Sequence, residues 1–231
     1  MSWIITGTEK YETDPYRSQV SLLLHGDGTN GSTTITDSSP TPKTVTVVGN
    51  AQISTAQSKF GGSSIAFDGS SSLTLDGSSA FSYETFDFTV ELWARWTTAN
   101  FSVLYDDRPQ LSGSIVNRFL LYRDSSGVIA SALKSAVSLG STTLSSGIWY
   151  HIAACRSGTT SRVFVNGQAE ITVTGDNTSY APGTSRPIIG ADGNNPLSLR
   201  LNGYIDDFRI TKGVARYTSN FTPPTAPFPD I

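Results

Sequence analysis

The sequence predicts an all-β fold in which antiparallel strands form a two-sheet sandwich of the jelly-roll type. Runs of alternating apolar and polar residues recur from about residue 20 to residue 210, and this alternation is typical of half-buried strands. Clusters of Gly, Ser, Asn and Asp separate these runs, and no segment repeats apolar residues at the helical spacing. Many short strands joined by turns favour a sandwich or jelly roll.

The clearest predicted strand is DFTVELWARW, at residues 87–96. Because side chains alternate along a strand, its residues separate into an apolar set and a mixed set. The apolar set, which we expect to face the core, is Phe88, Val90, Leu92, Ala94 and Trp96. The mixed set, which we expect to line an outer, groove-like surface, is Thr89, Glu91, Trp93 and Arg95.

Two predicted hairpins follow this strand. The first joins residues 118–124 to VIASALKS through the turn SSG. The second joins residues 148–156 to SRVFV, and Asn166 and Gly167 connect SRVFV to a third strand. Asn-Gly between alternating runs is the strongest short-range hairpin signal, because both residues accept a positive φ.

Two segments lie outside this strand pattern. Residues 1–17 are predicted to form a separate arm that anchors the protein, and residues 18–231 to form one domain. That domain includes the tail NFTPPTAPFPDI at residues 220–231. Its prolines exclude a central strand, because proline has no N–H group to donate to a ladder.

Composition excludes several classes of partner. The net charge of -3 and the pI of about 5.3 provide no basic surface for nucleic acid. No apolar run approaches the ~20 residues that cross a bilayer, so membrane insertion is not expected.

Cys155 is the single cysteine, which excludes an internal disulfide. The N-terminus lacks the pattern of a secretory signal, so we expect synthesis in the cytoplasm.

Adjacent carboxylates interrupt the apolar run GYIDDFRI. In a regular strand Asp206 shares a face with Phe208 and Ile210, whereas Asp207 points to the opposite face. A carboxylate on the core side needs backbone donors, an arginine or a hard cation, because an unpaired buried charge is costly. Two interpretations stay open. Asp206 is a structural carboxylate that holds the first and last strands together, or it binds a structural calcium ion with Asp27.

Candidate ligand-binding residues occur in two places. Oxygen-bearing side chains that suit calcium or sugar hydroxyl groups lie in the loop at residues 190–198, and they are Asp192, Asn194 and Asn195. Turn chemistry explains such residues equally well. On the outer face of the predicted strand, Trp93 and Arg95 can stack on a sugar, unless the N-terminal arm or a neighbouring subunit covers them.

No catalytic site is expected. Glycosidases project two carboxylates into one groove, about 5–9 Å apart. Asp206 and Asp207 point to opposite faces, and the acidic residues within 84–91 do not share a face. His25 and His151 lack any local catalytic signature, and His151 is expected to be a packed structural residue.

Five stretches, in order, resemble the laminin-G-like branch of the concanavalin A-like jelly rolls. They span about residues 20–229 and are SLLLHGDG…TDSS, FGGSSIAFDGSSSLTL, DFTVELWARW, GIWYHIAACRSGTTSRVFVNGQ and GYIDDFRITKGVARYTSNFTPP. The first two and the last are most similar to modules of bacteriophage virion proteins, such as tail fibres, tailspikes and head decoration proteins. The resemblance implies a many-stranded sandwich that binds glycans or proteins at loop-built rims, often with calcium, and that rarely performs chemistry.

The leading hypothesis is a non-catalytic phage virion surface protein whose jelly roll binds host glycans weakly and in many copies. Its partners would be other virion proteins, further copies of itself and cell-surface glycan. One alternative is a purely structural virion cement or spacer without a glycan site. Another is a secreted bacterial carbohydrate-binding adhesion module, located outside the cell or on its surface. A glycoside hydrolase is the least favoured alternative.

Overall fold

The computed structural model of the protein describes residues 13–108, 119–134, 136–183, 185–193 and 199–231. Within these ranges, fifteen strands form two antiparallel sheets, accompanied by short 3-10 turns at Arg17–Gln19 and Ser79–Phe81. The predicted all-β, two-sheet sandwich is therefore confirmed. No helix in the same ranges is long and apolar enough to cross a membrane.

The two sheets are called sheet A and sheet B. Sheet A contains, in spatial order, β13 (Gln168–Thr174), β12 (Thr160–Val165), β11 (Trp149–Ser157), β6 (Phe88–Trp96), β15 (Asn202–Lys212), β4 (Ser64–Asp68) and β3 (Gln52–Ser54), with β1 (Val20–Leu24) also beside β15. Sheet B contains β10 (Ala136–Thr143), β9 (Val128–Leu133), β8 (Leu120–Arg123), β7 (Ser102–Asp106), β14 (Ile188–Ile189), β5 (Ser72–Thr74) and β2 (Thr46–Val48).

The hydrophobic core lies between the inner faces of the two sheets. Strand β6 is central in sheet A, between β11 and β15, as the sequence predicts. Its five predicted core residues are all 0 % exposed. Opposite them, sheet B contributes buried side chains such as Leu104, Tyr105 and Leu121. The period-2 pattern of β6 thus identified the inner face of sheet A.

Both predicted hairpins are present. Strands β8 and β9 pair directly, and β11 pairs with β12. The turn between β12 and β13 places Asn166 at φ 47° and Gly167 at φ 77°, which is the left-handed backbone that the Asn-Gly pair was expected to adopt.

Strand β15 is not regular, and this corrects one expectation. Asp206 pairs with Trp93, but Arg209 pairs with Glu91, so β15 contains one residue more than β6 between these two pairs. Asp207 accommodates this bulge at φ 48°. Asp206 therefore lies on the outer face of sheet A, with Trp93, and the prediction that it shares the core face was wrong.

After β15 the chain crosses the outer face of sheet A without forming another strand, as its prolines predict. We call residues 213–231 the C-terminal tail. Its Tyr217 and Phe221 rings stack with centroids 3.6 Å apart. They pack against buried side chains of β11 and β12, namely Ala153, Cys155 and Phe164. Further along, Phe228 packs against Val20 and Leu23 of β1. The tail therefore covers about half of this face.

The predicted N-terminal arm is described only from residue 13. In that part Asp14 is buried, with a side chain only 1 % exposed, and its Oδ2 lies 3.2 Å from Arg209 and 2.6 Å from Arg216. The Asp14 N–H also donates to the carbonyl of Ile231. The end of the arm nearest the domain is thus bound to the sandwich and its tail, and residues 1–12 lie outside the described residues.

Candidate functional site

The outer face of sheet A has a covered half and an open half. The C-terminal tail lies over the half that contains Glu91 and His151. In the open half, one row of side chains crosses five strands in register. From β11 to β3 it consists of Trp149, Arg95, Tyr204, Ala66 and Gln52. We call this row the open platform.

The three largest side chains of the open platform are neighbours. Residues directly opposite each other on adjacent strands have Cβ atoms about 5 Å apart, so Arg95 lies between Trp149 and Tyr204. All three side chains are half-buried. The Arg95 guanidinium lies 5.9 Å from the centre of the Tyr204 ring. Within the part of the chain that the structure describes, it makes no hydrogen bond or ion pair.

A polar groove adjoins the open platform and has a volume of about 290 Å³. Amide, hydroxyl and carboxylate side chains line it, among them Asn50, Gln52, Asp68, Thr97 and Asn202. Burial raises the pKa of Asp68, but hydrogen bonds from Ser70, Ser71 and Asn50 lower it well below its ordinary value. The groove thus presents one fixed negative charge together with neutral donors and acceptors.

Trp93 lies on the outer face, as predicted, but it is only 5 % exposed. The Lys59 ammonium lies 4.0 Å above its ring, and the Phe60 ring meets it edge-on with centroids 5.9 Å apart. Asp206 holds this cover in place, because its Oδ2 accepts the N–H groups of Lys59 at 2.6 Å and Phe60 at 3.1 Å. A loop of the domain itself therefore covers Trp93, and of the two predicted stacking residues only Arg95 borders open surface.

Asp206 retains one carboxylate oxygen, Oδ1, without a hydrogen-bond partner, although the residue is only 1 % exposed. Burial and the charges of Asp207 and Asp27 raise the pKa of Asp206 to about 7, against the two backbone hydrogen bonds that lower it. Asp27 is exposed and near enough to contribute to this shift. Among the described residues no cluster of three or more His, Cys, Asp or Glu side chains is arranged to hold a metal ion.

The predicted structural role of Asp206, joining the first and last strands, belongs to Asp207. Its Oδ1 lies 2.6 Å from Nδ1 of His25, which follows β1, and its Oδ2 accepts the Phe228 N–H at 2.8 Å. Burial lowers the pKa of His25, but the hydrogen bond and charge of Asp207 raise it by more, so the net shift is upward. Asp207 thereby connects β15, the end of β1 and the C-terminal tail.

The loop residues predicted from oxygen content have other surroundings. The Asp192 Oδ1 lies 2.5 Å from a guanidinium nitrogen of Arg108, and the same guanidinium pairs with buried Asp106 at 2.6 Å. Arg186 also approaches Asp106, at 3.3 Å. Asp192 is therefore part of an ion-pair network at the end of β7 rather than of the open platform. Asn194 and Asn195 lie outside the described residues.

The carboxylate at the centre of the covered half has the environment of a fixed anion. Glu91 is 0 % exposed, and its oxygens lie 2.7 Å from Arg209 and 2.8 Å from the Tyr217 hydroxyl. Burial raises the pKa of Glu91, but the charge of Arg209 and contacts with His151 and Arg216 lower it to about 2. His151 is also 0 % exposed and packs among aromatic rings, which agrees with the predicted structural role.

Trp149 and Tyr204 are the two aromatic residues of the open platform, and the sequence analysis selected neither of them. The alternation in IWYHIAACR contains a signal for Trp149, because Tyr150 and Ile152 fall on the core face and Trp149 on the other. Regular alternation along GYIDDFRI would place Tyr204 on the face of Phe208, but the bulge at Asp207 separates these two residues onto opposite faces.

A family model described as the concanavalin A-like lectin/glucanases superfamily, of the laminin-G type, matches residues 67–216. No curated protein sequence is similar to the chain. Among solved structures, domain 4 of AbnA, a GH43 extracellular arabinanase from Geobacillus stearothermophilus solved with arabinotriose, is similar at a TM-score of 0.60 and 17 % identity, over 85 % of this chain and 94 % of that one.

Two toxin domains are similar over about half of their own length. The binding domain of Paraclostridial Mosquitocidal Protein 1 has a TM-score of 0.62 and 17 % identity, over 86 % of this chain and 50 % of that one. The botulinum neurotoxin serotype D ligand binding domain, solved with N-acetylneuraminic acid, has a TM-score of 0.62 and 15 % identity, over 87 % and 49 %. These likenesses concern the fold. Because the family model matches about two thirds of the chain, the protein belongs to the laminin-G-type family of the concanavalin A-like lectin/glucanases superfamily.

Proposed function

We propose that this chain is a non-catalytic carbohydrate-binding domain and that the open platform is its glycan-binding surface. The observation that carries the proposal is the row in which Trp149, Arg95 and Tyr204 lie side by side next to a polar groove. Aromatic rings offer flat apolar surface to the C–H face of a sugar, and amide and carboxylate groups orient its hydroxyls.

Two relatives in fold support the class of ligand. The arabinanase domain was solved with arabinotriose and the neurotoxin domain with N-acetylneuraminic acid, so both structures hold carbohydrate. One fold hosts many functions, so this similarity supports the proposal only together with the surface of this chain.

The absence of catalysis is part of the proposal. Hydrolysis of a glycosidic bond requires two carboxyl groups on either side of the bond. Glu91, Asp206 and Asp207 are each at most 1 % exposed, and the tail or the loop at residues 59–60 separates them from substrate. Asp68 is the carboxylate that lines the groove, and the hydrogen bonds that lower its pKa favour its ionised form, whereas a general acid must hold a proton.

We further propose that the domain works in many copies on the surface of a phage virion. Three of its motifs resemble those of virion modules, and a shallow surface of this kind binds a single glycan with a dissociation constant near the millimolar range, about −4 kcal/mol. Linking copies raises avidity by ~10²–10⁴ without a new contact, and a particle supplies such copies. A cement or spacer role on the virion, or an adhesion role on a bacterial surface, remains the alternative.

Calcium is proposed as a structural ion between Asp27 and Asp206. The unpaired Oδ1 of Asp206 is a suitable ligand, because calcium prefers oxygen donors and completes its shell with carbonyls and water. We expect chelation with EDTA to lower the melting temperature of the wild type and to have no effect on Asp27→Asn. An unchanged melting temperature of the wild type on chelation would exclude the ion.

The glycan proposal is tested by binding of a multivalent form to a glycan array. Trp149→Ala and Tyr204→Ala are expected to weaken binding about tenfold each, because each removes one stacking surface. Leu139→Ala is the matched control, since Leu139 is 54 % exposed on β10 of the other sheet. Binding that survives both platform substitutions would contradict the proposal.

Two further measurements separate the alternatives. An assay for released reducing sugar is expected to be negative, and activity in the pure protein would instead establish a glycosidase. A mass-spectrometric inventory of purified virions is expected to contain the chain, whereas its presence only on bacterial surfaces would favour the adhesion role. A virion protein whose multivalent form binds no glycan would be a cement or spacer.

A further inference from the structure

We propose that the glycan held by the open platform carries an anionic group, and that Arg95 recognises this group. The inference rests on the proposed carbohydrate-binding function and specifies the chemical class of its ligand. Arg95 occupies the middle of the open platform, between Trp149 and Tyr204.

Two arginines in the covered half of this face are paired with carboxylates, whereas Arg95 in the open half is not paired with one in the described part of the chain. Arg209 bonds Glu91 through two guanidinium nitrogens, and Arg216 bonds both oxygens of Asp14. The Arg95 guanidinium, although half-buried, has no such acceptor among the described residues and lies 5.9 Å from the centre of the Tyr204 ring. A partly desolvated guanidinium gains most from an acceptor that matches its planar fork, such as a carboxylate or a sulfate.

The neighbours of Arg95 suit a sugar rather than a simple ion. Trp149 and Tyr204 flank the guanidinium along the row, so an anion bound at Arg95 places the attached sugar ring against aromatic surface. The groove next to Tyr204 then receives the hydroxyl groups, through side chains such as Gln52 and Asn202.

Charge beside the row sets the direction of the ligand. Asp68 lies on β4 two residues beyond Ala66, and β4 is two strands from Arg95 on β6, so the two charges are more than about 10 Å apart. Its low pKa keeps it negative, so it repels an anionic group and accepts hydrogen bonds from hydroxyls. An anionic sugar is therefore oriented with its acidic group at Arg95 and its hydroxyl-bearing side toward Asp68.

The experiment compares matched ligands that differ only in charge. Neutral hexose oligomers are tested against the same oligomers oxidised to uronates at the primary alcohols and against sulfated forms. At low salt we expect at least one uronate or sulfated form to bind about tenfold tighter than its neutral counterpart, since a hydrogen bond to a charged group is worth roughly this much. The stronger of the two anions identifies the source of the charge.

Variants then locate the preference. Arg95→Met is expected to abolish the advantage of the anionic form and to retain weak binding of the neutral one, and Arg95→Lys to recover part of the advantage. Arg162→Met is the control for net charge, because Arg162 is half-buried on β12, two strands from β6 in the same sheet. We expect it to keep the full preference.

The outcomes separate the two proposals. Neutral and anionic forms that bind equally, with binding lost in Trp149→Ala, would overturn the role of Arg95 and leave the glycan-binding function in place. A preference that persists in Arg95→Met would also overturn it. Failure of the wild type to bind any of these oligomers, in a multivalent form, would overturn both.

Discussion

At the scale of single residues, Asp206 and Asp207 demonstrate how one backbone angle divides two neighbouring carboxylates. Asp207 takes φ 48°, a conformation that Asp tolerates better than most residues. Its carboxylate then reaches His25 and the N–H of Phe228, while that of Asp206 turns toward the loop at residues 59–60. The two acids therefore stabilise different contacts.

The raised pKa of Asp206 predicts that the protein becomes less stable as pH rises. Because its folded pKa is about 7 and its ordinary value is 3.8, the folded state holds a proton that the unfolded state has lost between these values. The free energy of unfolding should then decrease as pH rises from about 4 to about 7, by roughly 2–4 kcal/mol, and level off above. The Asp206→Asn variant should not show this decrease. Urea unfolding at a series of pH values, in the presence of EDTA, measures the free energy of unfolding of both proteins.

A second titration separates the contribution of His25. Its folded pKa is raised above 6.5, so the contact with Asp207 stabilises the protein fully below that value and is lost as pH rises through the folded pKa. His25→Gln removes this decrease and leaves the one at lower pH. Equal slopes for the wild type and Asp206→Asn between about pH 4 and about pH 6 would contradict the assignment to Asp206.

At the scale of elements, the turn between β12 and β13 supports the C-terminal tail as well as the hairpin. The Phe221 N–H donates to the backbone carbonyl of Gly167 at 2.9 Å. The Ala169 N–H donates to the side-chain oxygen Oδ1 of Asn220 at 3.0 Å. The tail passes so close that a Cβ on Gly167 would meet the Phe221 carbonyl oxygen. Gly167 therefore satisfies two requirements, a positive φ and a close approach.

Two alanine substitutions at positive φ distinguish these requirements. Gly158→Ala, at φ 56° with open space around it, should cost about 1–2 kcal/mol from backbone conformation alone. Gly167→Ala, at φ 77°, should cost more, because it also displaces the tail from the sheet. Chemical unfolding gives the two losses, and limited proteolysis should cleave the tail faster only in Gly167→Ala. Equal losses and equal cleavage would imply that the tail is held elsewhere.

The sequence predicted what local periodicity and turn chemistry determine. The inner face of β6, its central position, the Asn166-Gly167 turn and the irregular tail all follow from nearest-neighbour patterns. The covering of Trp93 could not be predicted, since Lys59 and Phe60 reach it from a distant segment. The bulge could not be predicted either, because period-2 counting assumes that every residue of a strand is paired.

At the scale of the whole molecule, the described chain ends adjoin each other on the covered half of sheet A. Asp14 bonds Ile231 through the backbone and Arg209 and Arg216 through its carboxylate. Burial raises the pKa of Asp14, but the bonds and charges of Arg216 and Arg209 lower it overall, so the carboxylate stays ionised. An anchor formed by the preceding residues would therefore join the domain at the covered half of sheet A.

Two truncations test whether residues 1–12 form that anchor. Removal of residues 1–12 keeps Asp14, so the melting temperature and the glycan affinity of the monomer should not change, while assembly into an oligomer or particle should fail. Removal of residues 1–17 also deletes Asp14, whose carboxylate lies 2.6 Å from Arg216, and loss of this buried ion pair should cost about 3 kcal/mol of stability. Asp14→Asn in the full chain is the matched control, and it should lose the same stability but retain assembly.

Light scattering measures assembly, and thermal unfolding measures stability. A chain without residues 1–12 that assembles like the wild type would exclude the anchor, and one that fails to fold would make this segment part of the sandwich.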